Sequence, residues 1–423
     1  MWLALLFSVF AMAARFQAVL DEKDGGMFPA IPPSLSSARM DFYREKTVQC
    51  LILGNFTMCP PYTVEAFLQY FTIEYFRSQD TQYGVWMMVG MIVRVAFRMG
   101  YHREPSRFPN ISPFKGEMRR RLWAMVVQLD LMSSTQVGLP RMIQPFMHDV
   151  REPRNLNDDD LDEDTTELPP SRPDTDPTIN LYTVARNRVL HVFARVVDMT
   201  NSSTQPAYQD VMELDDALCA VFDKLPESMK AIRFTDFDKV DSNLAMRRLY
   251  LGLSFLRAKL MIHRPYLLLA RTDKRYEDSR IACLDAALEM LKYQKLLDVK
   301  SRPGGWLWSH TWRLWAVSWR LSSLVNHDFL LATTVLALEL DNDISSPIVD
   351  SGDPMTEQVR SIEIVEALKD AYAIWLEGSE KSREAKRVAA ALKVVLGKAN
   401  DSIDHSQAGT SYAHPHQHDR ILG

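Results

Sequence analysis

The stretch Ser112-Pro113-Phe114-Lys115-Gly116-Glu117-Met118-Arg119-Arg120-Arg121-Leu122-Trp123-Ala124-Met125-Val126-Val127-Gln128-Leu129-Asp130 reads as a helix with a marked start. A serine hydroxyl can accept from the free amides of a first turn, and proline at the first helical position loses no hydrogen bond. Gly138-Leu139-Pro140 breaks the helix. Three consecutive arginines beside Leu122, Trp123 and Val126 cannot share one face at about 100° per residue. One of them should lie near the apolar side, where Asp130 or another acid pairs it. Arg119, Arg120, Arg121, Trp123 and Asp130 are therefore read as structural residues rather than as a nucleic-acid patch.

Working outward, Gly84 to Met99 is apolar almost all round, with Arg94 and Arg98 its only charges. Such a helix is normally enclosed by others. Gly100 and then Pro105 end it. Val64, Phe67, Leu68, Phe71 and Tyr75 step along one face of an earlier helix. Helical periodicity resumes near Asn180 and runs to about Lys398, with breaks at Lys300–Gly305 and Asp341–Pro354. No strand-type alternation persists. The fold class is all-α: a large multi-helix domain with an acidic, Pro-rich loop and a disordered C-terminal tail. The expected organisation is a helical half over 1–150, the loop over 151–178, a second helical half over 179–400 and a polar tail over 401–423.

Hydrophobic residues make up 47% of the 423 and charged residues 24%, which suits a globular chain rather than a disordered one. A net charge of -5 gives no global attraction to a phosphate backbone, so any contact with DNA is expected from something else. Cys50, Cys59, Cys219 and Cys283 stand far apart and form no C-x-x-C pair. They read as buried free thiols in a reducing compartment, not as a zinc ribbon or a redox couple. The apolar run Trp2–Phe10 is too short to span a bilayer and has no basic residues before it, so it reads as a packed helix rather than a secretory signal.

The usual catalytic fingerprints are absent: no G-x-S-x-G, no phosphate-binding Gly loop, no H-E-x-x-H. His414, His416 and His418 alternate in the polar tail, where no enclosing metal site is expected. Asp158-Asp159-Asp160-Leu161-Asp162 fits the D-D-x-x-D of class I terpenoid synthases, and Asn342-Asp343-Ile344-Ser345-Ser346 with Asp350 resembles their second magnesium motif. That chemistry needs carboxylates fixed on facing helices. Here the first motif runs into a Pro-rich loop and the second contains Pro347. An EF-hand over the same aspartates fails at Glu163 and Pro169, where Gly and Glu are required. Trp312, Trp315 and Trp319 form one stripe with Trp308. Core packing is the base expectation, and an aromatic-lined pocket for an apolar small molecule is the functional one.

Val93-Arg94-Val95-Ala96-Phe97-Arg98-Met99-Gly100-Tyr101-His102-Arg103-Glu104-Pro105, followed by Glu117-Met118-Arg119-Arg120-Arg121-Leu122-Trp123 and Gly138-Leu139-Pro140-Arg141, resembles the regulatory middle region of fungal zinc-cluster transcription factors. Met261-Ile262-His263-Arg264-Pro265-Tyr266, His327-Asp328-Phe329-Leu330-Leu331-Ala332 and Ile374-Trp375 with Ser382-Arg383-Glu384-Ala385 extend the likeness to about Lys398. The resemblance implies a non-enzymatic, nuclear regulator of RNA polymerase II transcription that responds to a partner or a small-molecule effector and pairs with another transcription factor or co-regulator as a dimer. It also implies zinc in an N-terminal C-x2-C-x6-C cluster, which these scattered cysteines cannot supply. No cofactor is expected in this chain, and DNA contact is expected through a missing domain or a partner. A terpenoid-synthase-like enzyme and a helical nuclear scaffold are the alternatives.

Overall fold

The computed structural model describes residues 1–24, 33–77, 80, 81, 83–230, 236, 239–302, 323–345 and 354–410. The described residues form α-helices and short 3-10 turns, with no strand among them. The helices are α1 Trp2–Asp24, α2 Pro33–Leu53, α3 Thr63–Tyr75, α4 Tyr83–Arg98, α5 Pro113–Val137, α6 Leu181–Thr200, α7 Tyr208–Asp223, α8 Ser242–His263, α9 Glu277–Ser301, α10 Ser323–Ser345, α11 Pro354–Gly378 and α12 Arg383–Thr410. None is long and apolar enough to cross a membrane.

Helix α1 packs against α2 and α3. It buries Ala4, Ser8, Ala11 and Met12, one helical face, and leaves Trp2, Leu3, Val9 and Phe10 exposed. Helix α3 buries the predicted face, including Val64, Phe67, Leu68, Phe71 and Tyr75. Helix α4 is less enclosed than its composition suggests. Val85, Val89, Ile92, Val93 and Ala96 face the core, while Met87 and Met91 are 65% and 41% exposed because no helix among the described residues covers that side. Gly100 follows in the left-handed region at φ 71°, where a side chain would be strained.

Helix α5 starts and stops as its sequence predicts. Ser112 Oγ accepts from Lys115 N at 3.3 Å, Pro113 opens the helix, and Gly138 caps it at φ 69°. Its first half, through Trp123 and Val126, belongs to the core of α1–α5. Its second half, through Leu131 and Met132, belongs to a middle core with α6, α7 and α8. Phe193 and Leu218 are fully buried there, and each such side chain contributes about 1.5–3 kcal/mol. The largest core joins α8 to α12, with Phe329, Leu336 and Leu368 at full burial. Cys283 lies in it, and burial pushes its thiol up to about 12. Cys50, Cys59 and Cys219 are only half-buried, and all four thiols are free.

The first and last parts of the chain are joined by a reciprocal cap. Asp80 accepts from the backbone N–H groups of Glu384 and Arg383 at 3.2 Å and from the Ser382 hydroxyl. Glu384 Oε1 accepts in turn from Thr81 N at 3.1 Å. Burial alone would raise the Asp80 carboxyl, but these donors hold it below the usual range. An anion at a helix N-terminus also meets the positive end of the helix dipole. Helix α12 continues to Thr410, ten residues into the stretch whose polar composition predicts disorder. Residues 411–423, with the three tail histidines, lie outside the described residues.

Asp80→Ala removes an acceptor shared by the N-terminus of α12. A loss of about 1 kcal/mol is expected, read as a lower urea midpoint. An unchanged midpoint would show that the latch contributes nothing to stability.

Candidate functional site

The arginine triplet does not face nucleic acid. Arg119 Nη2 donates to Met99 O at 2.5 Å, and its guanidinium lies over the Tyr101 ring at 4.3 Å. Arg120 is 8% exposed and is met by Glu104 and by Glu117, the latter at 3.2 Å. Arg121 Nη1 reaches Asp158 at 2.9 Å. So the arginine nearest the apolar side is paired as expected, but not by Asp130. Asp130 instead accepts from Met142 N at 2.9 Å and Ile143 N at 2.8 Å, which fixes the chain just beyond Pro140. Arg141 completes that turn with Asp198 of α6 at 2.6 Å. Trp123 is 3% exposed and packed among Phe97, His102 and His148, so it is structural.

The same acids clamp the acidic, Pro-rich segment onto α5. Glu117, fully buried, accepts from Arg154 N at 2.8 Å. Glu104 accepts from Arg151 N at 3.1 Å, and Asp149 accepts from Glu104 N at 2.8 Å. Burial pushes the Glu117 carboxyl above its usual value despite the donors around it. At Glu104 burial acts the same way, but Arg120 and Arg151 prevail and hold the carboxyl at about 2. Within the segment, buried Asn155 donates to the carbonyls of Arg172, Pro173 and Asp176, and Thr178 donates to Asn155 Oδ1 at 2.6 Å. Arg172 holds Asp160 at 2.6 Å. The acidic, Pro-rich composition of 151–178 predicts a solvated connection, and Asp158, Asp159 and Asp162 to Asp164 are indeed exposed. The segment is also pinned at its backbone, because buried donors and acceptors must find partners and here they find side chains.

This arrangement does not favour the magnesium reading. Asp158 pairs with Arg121 at 2.9 Å, and Asp162 Oδ1 accepts from Asp164 N and the Thr165 hydroxyl. These carboxylates stand on a 3-10 turn and the loop after it rather than on facing helices, and Ser346 and Asp350 of the second motif lie outside the described residues. No metal-holding group of His, Cys, Asp and Glu occurs among the described residues.

A Ser–His–Asp alignment, unmarked by any local motif, occurs behind α8. His263 Nδ1 lies 2.9 Å from Ser279 Oγ, and Nε2 lies 3.3 Å from Asp215 out of hydrogen-bonding geometry. Ser279 is fully buried and also bonds Tyr208 at 2.9 Å. A hydroxyl sealed from solvent has no route to a substrate, so the cluster ties α7, α8 and α9 together.

The site open to a ligand is elsewhere. A cavity of about 660 Å³ opens where the end of α5, the loop after α6, the end of α8 and α10 meet. Its walls include Thr135, Asn201, Met261, Arg264, His327 and Leu331, and Arg257 lies behind them fully buried. Arg257 Nη1 is 2.7 Å from Asp328, and burial pushes that carboxyl up to about 6. His327 is pushed down to about 3 by burial, with Arg257 and Arg264 adding repulsion. Trp312, Trp315 and Trp319, the predicted pocket residues, lie outside the described residues. Arg257 went unread because it carries no motif, and Lys259 two residues on makes it look like one of two ordinary charges on α8.

Two outcomes follow from the clamp. Glu117→Ala takes one carboxylate from Arg120, which keeps Glu104, and from Arg121, which keeps Asp158, and leaves Arg154 N without its acceptor. A loss of about 1–3 kcal/mol is expected, with protease cleavage appearing within 151–178. Resistance equal to the parent chain would rule out the clamp. Glu104 has a folded carboxyl at about 2 against 4.5 in the unfolded chain, so its contribution is present above pH 4.5 and is lost as pH falls towards 2. The stability gap between the parent and Glu104→Gln should therefore close across that window, measured by denaturation at successive pH values.

Residues 3–223, from α1 to the end of α7, match the family model described as the fungal specific transcription factor domain. The chain is 40% identical to the Zn(2)-C6 fungal-type transcription factor mpsB of Macrophomina phaseolina, over 95% of this chain and 53% of that protein. It is 41% identical to the Zn(2)-C6 fungal-type transcription factor pigI of Monascus ruber, over 94% and 47%. It is 36% identical to the equisetin cluster transcription factor eqxF of Fusarium heterosporum, over 94% and 56%. The chain thus spans about half the length of these curated relatives. No solved structure matches it. With its Gly100–Pro105 turn, its arginine clamp and its Arg141 anchor all inside the matched residues, the chain belongs to the fungal specific transcription factor domain family.

Proposed function

We propose that this chain is the regulatory region of a fungal transcription factor that acts in the nucleus on RNA polymerase II transcription and responds to a small-molecule effector. The observation that carries the reading is the family match over residues 3–223, supported by relatives named as transcription factors along nearly the whole chain. The cavity among α5, α6, α8 and α10 supports a responsive role, because a ligand there touches helices from two of the three main cores. A ligand shifts such an assembly only if it binds one arrangement better than another.

On this reading DNA is contacted by a zinc-bearing cluster of the kind two relatives' names specify, carried by another segment or by a partner in a dimer. The four scattered cysteines here contribute nothing to it. One relative's name ties it to the equisetin cluster, and we place the targets of this chain likewise in a set of neighbouring biosynthetic genes.

Deleting the gene and sequencing the transcripts is the test. The expected result is a coherent change in a group of adjacent genes, together with nuclear fluorescence from a tagged allele. Unchanged transcripts would remove the reading.

A further inference from the structure

Among the described residues that line the α5–α6–α8–α10 cavity, those that carry full charge are arginines, Arg264 and the fully buried Arg257. His327 is held neutral, and no aspartate, glutamate or lysine lines it, while Asp328 lies 2.7 Å from Arg257. Arg264 is solvent-exposed, and its guanidinium makes no ion pair with any described carboxylate. Arg257 is fully buried with one carboxylate contact, and none of its guanidinium nitrogens has a well-aligned hydrogen bond. A buried cation served so sparsely keeps an outward positive field, since burial weakens screening.

Three helix ends approach the cavity, and their carbonyl dipoles would favour a cation. Carbonyls at each end are already engaged: Leu139 N donates to Ser134 O and Gly138 N to Thr135 O at α5, Asn201 N to Val197 O at α6, and Arg264 N to Leu260 O at α8. The arginine charges therefore set the sign. The wall also carries apolar surface, through Met199, Met261 and Leu331. Methionines adapt to irregular ligand shapes.

We propose that the cavity binds a small organic acid as its anion, with the acidic group between Arg264 and His327 and the apolar body against Met199, Met261 and Leu331. The inference rests on the effector-responsive reading above and names the chemical class of the effector. Burial first, and then repulsion from Arg257 and Arg264, keep the His327 imidazole neutral; an anion beside it opposes the repulsion, which gives a second readout.

The probe is octanoate, titrated by calorimetry into the purified chain, with 1-octanol as the uncharged match. Octanoate should bind at least about tenfold more tightly than octanol, and Arg264→Gln should cost octanoate about tenfold while leaving octanol unchanged. Arg264 is exposed, so this variant keeps the fold. Met261→Trp, which fills the cavity, should abolish binding of both. The His327 imidazole resonances should titrate at higher pH with octanoate than without. Equal binding of acid and alcohol, indifference to Arg264→Gln, or no octanoate binding would each overturn the proposal. Because binding is read on the isolated chain, such a failure leaves the transcriptional reading standing, and that reading falls only on the transcript test.

Discussion

An arginine taken out of water must be met by carboxylate, and much of the first half of this molecule is arranged around that requirement. Arg120 is nearly sealed inside, and Glu104 and Glu117 converge on it from a turn and from its own helix. The two acids then have oxygen atoms to spare, and the backbone N–H groups of Arg151 and Arg154 take them. One buried ion cluster thereby fixes the turn after α4, the start of α5 and the cover over 151–178. Such clusters add little net stability compared with apolar packing, yet losing one member leaves a stranded charge. What they specify is arrangement.

The same device recurs at the other end. Arg280 is 1% exposed and meets Glu339, which Arg271 also reaches at 3.2 Å, and Arg271 extends to Asp343. These pairs lock the turns between α8 and α9 onto α10. Between the two ion-paired ends lies α5, whose halves belong to different cores, and beside its C-terminus lies the cavity. A ligand at the cavity would therefore touch helices that belong to two packed cores. The Asp80–Ser382–Glu384 cap couples the two ends a second time, across more than three hundred residues of chain.

Opposed effects on neighbouring acids show how local the balance is. Glu104 and Glu117 both flank Arg120 and both are buried, but one carboxyl is held down and the other is pushed up. Arg120 lies directly against Glu104 through two nitrogens, while Glu117 is the more deeply covered and shares its donors. Burial and pairing compete residue by residue, and a difference of one good contact decides the sign.

The helices themselves were legible in the chain. Ser112-Pro113 and Gly138 mark the ends of α5, the spacing of Val64 to Tyr75 marks the face of α3, and the absence of alternation excludes sheet, because these signals depend on near neighbours and a fixed period. The motif that carries the family likeness was legible too, although not its wiring. Asp130 looked like the partner of an arginine and proved to be a cap for Met142 and Ile143. The Asp- and Pro-rich segment is exposed along its acidic run, as its polarity suggests, yet its backbone is pinned by Glu104 and Glu117, since composition records polarity but not which distant N–H groups need an acceptor. Arg257, the cation behind the cavity, and Asp80, the cap of a helix three hundred residues away, carry no local pattern at all. Both acquire their roles only when folding brings remote elements together, and that is a fact of tertiary contact which no window of sequence contains.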